Sequence, residues 1–167
     1  RRPKSLPRYL GPDADRRLRE ALEGSKSRLV ADGLLLLRAT GLRIGELLDL
    51  ELDCVHEVPG QGAWLKVPLG KLQSERMVPL DEDSLALLDH IVELRSPVRP
   101  LVHPRHGRRC AFLLTHYGKR VSPAALRDEL ARAAATAGVP PVTPHQLRHT
   151  FVISPLSIPK RDVRLVG

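Results

Sequence analysis

The chain has 167 residues, 42% hydrophobic and 28% charged, with 27 Lys and Arg against 19 Asp and Glu, for a formal net charge of +8. That length supports one domain around a single core, and the hydrophobic share excludes wholesale disorder. No apolar run approaches the ~18 residues of a spanning helix, since the longest compact one, Leu34 to Leu37, is broken at Arg38, so a membrane partner is not expected.

In chain order, Arg1, Arg2, Lys4 and Arg8 open the sequence as a basic arm without an acid. Pro12 and Asp13 then lead into an amphipathic segment with Leu18, Ala21 and Leu22 at helical spacing, closed by Gly24. A second helix is predicted from Ser27 to Thr40, dense enough in Leu to be buried, with Gly41 as its left-handed terminator. A short helix follows Leu42, with Ile44, Leu47 and Leu48 as its apolar stripe. Alternation from Leu50 to Val55 reads as a strand, Pro59 to Gly62 as a turn, and Trp64–Val67 and Arg76–Leu80 as two further strands. Together these make a small antiparallel sheet. Asp81 or Ser84 caps the next helix, whose stripe is Leu85, Leu88, Ile91 and Val92.

The stretch from Arg95 to Arg109 carries Arg95, Arg99, Arg105, Arg108 and Arg109, two His and three Pro, with no acid, and reads as an exposed basic loop. Ser122-Pro123 has the chemistry of a helix start, and that helix runs to Gly138. Thr143-Pro144 repeats the signal and opens a last helix through Phe151. The expected class is therefore mainly α with a small three-stranded antiparallel sheet, helices enclosing it.

The positive excess and a sequence pI of about 10.2 attract polyanions, above all nucleic acid phosphates. Aromatic residues are only 3%, which disfavours stacking on single-stranded bases and points to the backbone of duplex DNA. A basic RNA-associated domain is the alternative that composition leaves open. Cys54 and Cys110 are far apart and lack CxxC spacing, so they form neither a disulfide framework nor a zinc site and favour a reducing compartment. His145 and His149 share a helical face, but without paired cysteines or a third ligand they do not predict a metal.

Three pieces carry chemistry: Thr40-Gly41-Leu42-Arg43 with Glu46-Leu47, Gly70-Lys71 before Arg76-Met77-Val78-Pro79-Leu80, and His145-Gln146-Leu147-Arg148-His149. Alone, Arg43 with Glu46 is an ordinary helix-surface ion pair and Lys71 a solvated loop lysine. In this order the three resemble the signatures of the tyrosine recombinase, or phage integrase, family, over about residues 5 to 152. The resemblance implies the catalytic-domain fold of that family and DNA strand breakage and rejoining through a 3′-phosphotyrosine, without metal or nucleotide cofactor. It assigns Arg43 and Arg148 to clamp the phosphorane-like transition state, and Lys71 to protonate the leaving 5′-oxygen. His145 becomes base or phosphate hydrogen-bond donor, while Glu46 and His149 support the arginines. Duplex DNA is the implied partner, contacted also by the basic arm and the Arg95 to Arg109 stretch; the resemblance admits a homo-oligomer on that DNA. A mobile-element origin and a cytoplasmic, nucleoid-associated location go with it.

The resemblance stops after Phe151. The family places a further His or Trp and then its nucleophilic tyrosine beyond the second arginine signature, whereas Val152 to Gly167 contains two prolines and no His or Tyr. Tyr9 and Tyr117 match neither position. Residues 1–151 are thus expected to be an integrase-like catalytic domain and 152–167 a non-family tail, giving a truncated or diverted, catalytically incomplete recombinase. A non-catalytic DNA-binding or interaction module derived from an integrase is the other reading.

Overall fold

The computed structural model describes residues 10–68, 76–95 and 99–153, the last five by backbone alone. The basic arm, Tyr9, Lys71 and the residues after Ile153 therefore lie outside the described residues, as does the side chain of His149.

Helix α1 (Pro12–Glu23) starts with Pro at its first turn and Asp13 and Asp15 near its positive end, and buries Leu18 and Leu22. Its last carbonyls, which have no partner within the helix, accept from Arg28: Nη1 lies 2.8 Å from the Leu22 oxygen and 2.6 Å from that of Glu23. Helix α2 (Arg28–Thr40) ends at Gly41, whose φ of 72° is the left-handed conformation that glycine adopts at little cost. It is buried on nearly every side, with Leu34, Leu36 and Leu37 fully inaccessible. Each such leucine contributes ~1.5–3 kcal/mol by leaving water. Helix α3 (Ile44–Leu48) follows at once.

Strands β1 (Val55–Val58), β2 (Gly62–Val67) and β3 (Arg76–Leu80) form the antiparallel sheet, in that order. Leu65 pairs with Val55 and Val78, and Val67 with Arg76. Because side chains alternate along a strand, Arg76 lies on the same face as the buried Val78 and Leu80 but stays exposed at the strand's start. Helix α4 (Glu82–Leu94) is capped by Asp81, whose Oδ1 accepts from the Ser84 N–H at 2.8 Å. Two short hairpins come next, β4 (Leu101–Val102) with β5 (Arg109–Cys110), and β6 (Thr115–His116) with β7 (Lys119–Arg120). Helix α5 (Pro123–Ala137) is capped by Ser122 and ended by Gly138 at φ 69°. Helix α6 (Pro144–Ile153) closes the described chain. Helix α2 is the hub, packed against α1, α4, α5 and α6.

The expected α+β class is what the chain adopts, with four corrections in detail. The Leu50 to Val55 alternation does not form a sheet strand. Leu50 and Cys54 are buried, but the segment pairs with residues 111–113 through a bridge between Glu51 and Phe112, and the sheet strand begins at Val55. Val92, expected on the buried stripe of α4, is 48% exposed, while Leu88 and Ile91 carry the contact. Two hairpins join the single expected sheet.

Nor is the Arg95 to Arg109 stretch simply an exposed loop. It contains a hairpin with a buried His103, and it is tied down at both ends. Arg95 donates to the carbonyls of Phe112 and Leu113 at 3.0 and 3.2 Å. Asp49, which ends α3, accepts from Arg105 and from Arg120 Nη2, the latter at 2.7 Å. The Arg120 guanidinium also lies 3.8 Å over the Phe112 ring, a cation–π contact. An acid outside the loop thus organises a run that has none of its own.

Candidate functional site

The turn at Gly41 brings the end of α2 directly into α3, so Arg43 stands at the N-cap of α3 in extended conformation with its side chain 67% exposed. Glu46 reaches back and accepts the Arg43 N–H at 2.9 Å, the acidic half of a capping box. The same carboxylate receives two bonds from Arg76, Nη2 to Oε1 at 2.7 Å and Nε to Oε2 at 3.2 Å. Arg43 Nη1 is more distant, 3.8 Å from Oε2. The surface i,i+3 pair expected from sequence is therefore the weaker contact of Glu46. Burial pushes the Glu46 carboxyl pKa up, but the Arg76 bonds, the Arg43 N–H and the charges of both arginines outweigh it and hold the group below its ordinary value.

From the other side comes α6. Thr143 and Gln146 form a reciprocal capping box: Thr143 Oγ1 accepts the Gln146 N–H at 3.1 Å, and Gln146 Oε1 accepts the Thr143 N–H at 2.9 Å. That cap fixes the first turn, and the fully buried Leu147 anchors the helix in the core. His145 is left exposed on the first turn, and Arg148 half-buried one turn further. Arg148 Nε donates to the Gly41 carbonyl at 2.7 Å. The left-handed turn that ends α2 thus also aims the second arginine. Burial, then the nearby charge of Arg43, lowers the Arg148 pKa, with Glu46 opposing and Arg76 adding to it. A guanidinium remains charged under any such shift.

These elements enclose a groove of about 440 Å³ whose lining includes Leu42, Arg43, Arg127, Thr143, His145 and Arg148. Of the residues picked from sequence, Arg43, His145 and Arg148 meet there, and Glu46 stands behind them. Lys71 lies outside the described residues; the residues flanking its segment, Val67 and Arg76, are paired across β2 and β3, and Arg76 is bonded to Glu46. Among the DNA-contact candidates, Arg95 and Arg105 are engaged with the backbone and Asp49, and Arg109 Nη1 donates to the Pro100 carbonyl at 3.3 Å. Arg108 Nε is 3.4 Å from His106 Nδ1, and Arg99 is exposed. None of these five lines the groove.

Two arginines were missed. Arg76 was legible in part, because alternation puts it on the same strand face as Val78 and Leu80, where its half-exposed guanidinium meets Glu46. Arg127 on α5 has no local signal and joins the groove only through helix packing. The arrangement suits an anion held by guanidinium groups and by the positive end of α6. Among the described residues no cluster of three or more His, Cys, Asp or Glu could hold a metal ion, and no helix is long and apolar enough to cross a membrane. Cys54 and Cys110 are both buried and free, and burial pushes the Cys54 thiol up to about 12, so it is no nucleophile at neutral pH.

Comparison with known proteins points the same way. The chain is similar to the tyrosine recombinase XerD of Listeria innocua, with 31% identity over 89% of this chain and 48% of the relative. It also resembles the crystal structure of the XerA recombinase, with 28% identity, a TM-score of 0.67, and 93% of this chain matched to 52% of that one. The XerH site-specific recombinase, solved bound to a palindromic difH substrate after cleavage, shares the fold at 22% identity and a TM-score of 0.69, over 97% of this chain and 45% of that one. The chain thus spans about half the length of the relatives it matches. Residues 9–154 match the phage integrase family along almost the whole described region, and with the two arginine signatures brought into one groove, the chain belongs to that family of tyrosine recombinases.

Proposed function

We propose that this chain is the phosphate-binding core of a site-specific DNA recombinase, and that its groove receives the scissile phosphodiester of duplex DNA. The observation that carries the reading is the convergence of Arg43 and Arg148 from two different helix starts, with Arg148 aimed by the Gly41 carbonyl. Two guanidinium groups match the two non-bridging oxygens of a phosphodiester and stabilise the charge that gathers there as a tyrosine hydroxyl attacks. In the full reaction the P–O bond to the 5′-oxygen breaks as the bond to the tyrosine oxygen forms. The 5′-oxygen takes its proton from Lys71, and His145 accepts the tyrosine proton or donates to a phosphate oxygen.

The 167 residues contain two tyrosines. Tyr117 sits at the tip of the β6–β7 hairpin at φ 53°, 84% exposed, with its ring against His116. We assign it no part in the reaction, so this chain by itself binds DNA without cutting it. The XerH recombinase, which shares this fold, was solved bound to a palindromic difH substrate, in keeping with a DNA partner for this chain. A homo-oligomer on DNA belongs to the same reading.

Anisotropy titration of a labelled duplex tests the clamp. Arg43→Ala and Arg148→Ala should each weaken binding about 10-fold or more, the equivalent of losing a charge-assisted hydrogen bond of ~1.5–3 kcal/mol. Unchanged affinity in both variants would overturn the proposal. A suicide duplex with a bridging phosphorothiolate should give no covalent adduct with this chain, and an adduct abolished by Tyr117→Phe would refute the assignment of inactivity. The stoichiometry of the complex reads out the oligomer.

A further inference from the structure

Beyond the clamp stands Arg127. It lies on α5, one helical position after the fully buried Leu126, and projects into the groove with Arg43, His145 and Arg148. Its situation differs from that of the other arginines nearby. Arg76 is held twice by Glu46, Arg132 on the same helix is held by Glu129 at 2.7 Å, and Arg148 is held by a carbonyl. Arg127 has no hydrogen bond or ion pair to any described residue. Arg127 is exposed, but on a concave wall that two further guanidinium groups also line.

Charge and space both exceed what one phosphate requires. A phosphodiester carries one negative charge, and Arg43 with Arg148 already offers a fork to each of its two non-bridging oxygens. Glu46, the carboxylate that the described residues place beside them, is committed to Arg76 and to the start of α3. Arg127 is left over, in a groove whose volume of about 440 Å³ is in the range that takes a drug-sized ligand, ~300–1,000 Å³, rather than a lone tetrahedral anion. We propose that Arg127 binds the phosphodiester next to the scissile one on the same strand, making the groove a two-phosphate site that fixes the strand's direction and register.

This rests on the clamp reading and assigns Arg127 as a phosphate-binding, strand-positioning residue. Arg43 and Arg148 alone would hold one phosphate about which the strand could pivot. A second point of attachment one nucleotide away removes that freedom, which is what in-line attack on a defined phosphorus needs.

The test is a salt titration of duplex binding by the full chain. Each neutralised phosphate contributes about 0.9 to the slope of log K against log salt. Arg127→Ala and Arg127→Gln should both lower the slope by about 0.9, so that the affinity advantage of the wild type shrinks about 3.5-fold between roughly 50 and 200 mM salt. Arg127→Lys, which keeps the charge, should retain the slope. Arg19→Ala, which removes an exposed arginine of α1 outside the groove, should leave it unchanged. Melting curves of the Arg127 variants should overlay that of the wild type, because the side chain has no described partner to lose. If both neutral Arg127 variants keep the wild-type slope while Arg43→Ala lowers it, the second phosphate subsite is refuted and the clamp stands. If Arg43→Ala and Arg148→Ala leave the slope unchanged as well, the clamp fails and the inference falls with it. A slope lowered equally by Arg19→Ala would reduce the effect to net charge and also refute the subsite.

Discussion

Replacing Glu46 with alanine removes two supports at once. The first is the carboxylate that accepts the Arg43 N–H at the start of α3, a capping interaction whose loss costs about 1 kcal/mol. The second is the two-bonded pair with Arg76. Charge-assisted bonds contribute ~1.5–3 kcal/mol when shielded, but the Arg76 side chain is 43% exposed, so solvent screening brings the pair nearer to 1 kcal/mol. The sum is about 2 kcal/mol. For a domain of this size that corresponds to a fall in melting temperature of about 4–8 °C, since each kcal/mol shifts it by roughly 2–4 °C. The effect is tied to pH. Because the folded Glu46 carboxyl lies below its ordinary value of 4.5, the unfolded chain takes up the proton first as the solution is acidified. The stabilisation is complete above about pH 4.5 and is lost as pH falls through the lower folded value. Wild type should therefore lose stability more steeply than Glu46→Ala below about pH 4.5, and the two curves should converge in acid. Urea denaturation across pH, with a double-mutant cycle to Arg76→Ala, checks both parts. A coupling energy near zero at neutral pH, where about 1 kcal/mol is expected, or parallel pH profiles for the two proteins, would refute the account of Glu46 as the joint between α3 and β3.

Gly41→Ala places a Cβ at φ 72° and should cost about 1 kcal/mol of stability. Because the same turn presents the carbonyl that aims Arg148, it should also weaken duplex binding; a variant that melts lower but binds as tightly would separate the turn from the site. Asp32→Ala removes a carboxylate, itself 1% exposed, that Arg28 and His90 share; because those partners are 30% and 45% exposed and Arg28 keeps its bonds to the Leu22 and Glu23 carbonyls, the loss should be about 2 kcal/mol. Urea unfolding should show a midpoint moved by that amount with little change in slope, and a loss under 1 kcal/mol would mean that Asp32 does not join α2 to α4.

Much of the fold was written in local chemistry. Helices α1, α2, α5 and α6 could be read because each begins or ends with a residue whose backbone or side chain allows little else there: Pro12, Gly41, Ser122 with Pro123 and Gly138, and Thr143 with Pro144. The strands at Trp64 and Arg76 showed for the same reason, a turn with apolar alternation on either side. Leu50 to Val55 misled because alternation records which side chains are buried and carries no information on which backbone they pair with; here the partner is Phe112, some sixty positions away. Val92 misled in a similar way. A helix shows more apolar residues than its neighbours cover, and the packing of α4 on α2 and the sheet selects among them.

The site divides along the same line. Arg43, Glu46, His145, Arg148 and His149 were singled out by residue type and order because they resemble the signatures of the family, and of these the structure brings Arg43, His145 and Arg148 to one groove with Glu46 behind them. What the tertiary structure alone decided is who meets whom. Glu46 turns chiefly to Arg76 across thirty positions, Arg148 takes its aim from the Gly41 carbonyl across more than a hundred, and Arg127 enters a groove to which nothing in its own neighbourhood assigns it. Charge behaves likewise. The sequence determined its amount, +8, but which arginines remain available to a phosphate depends on Asp49, Glu46 and the carbonyls of Phe112 and Leu113, partners that only the packed fold brings within bonding distance.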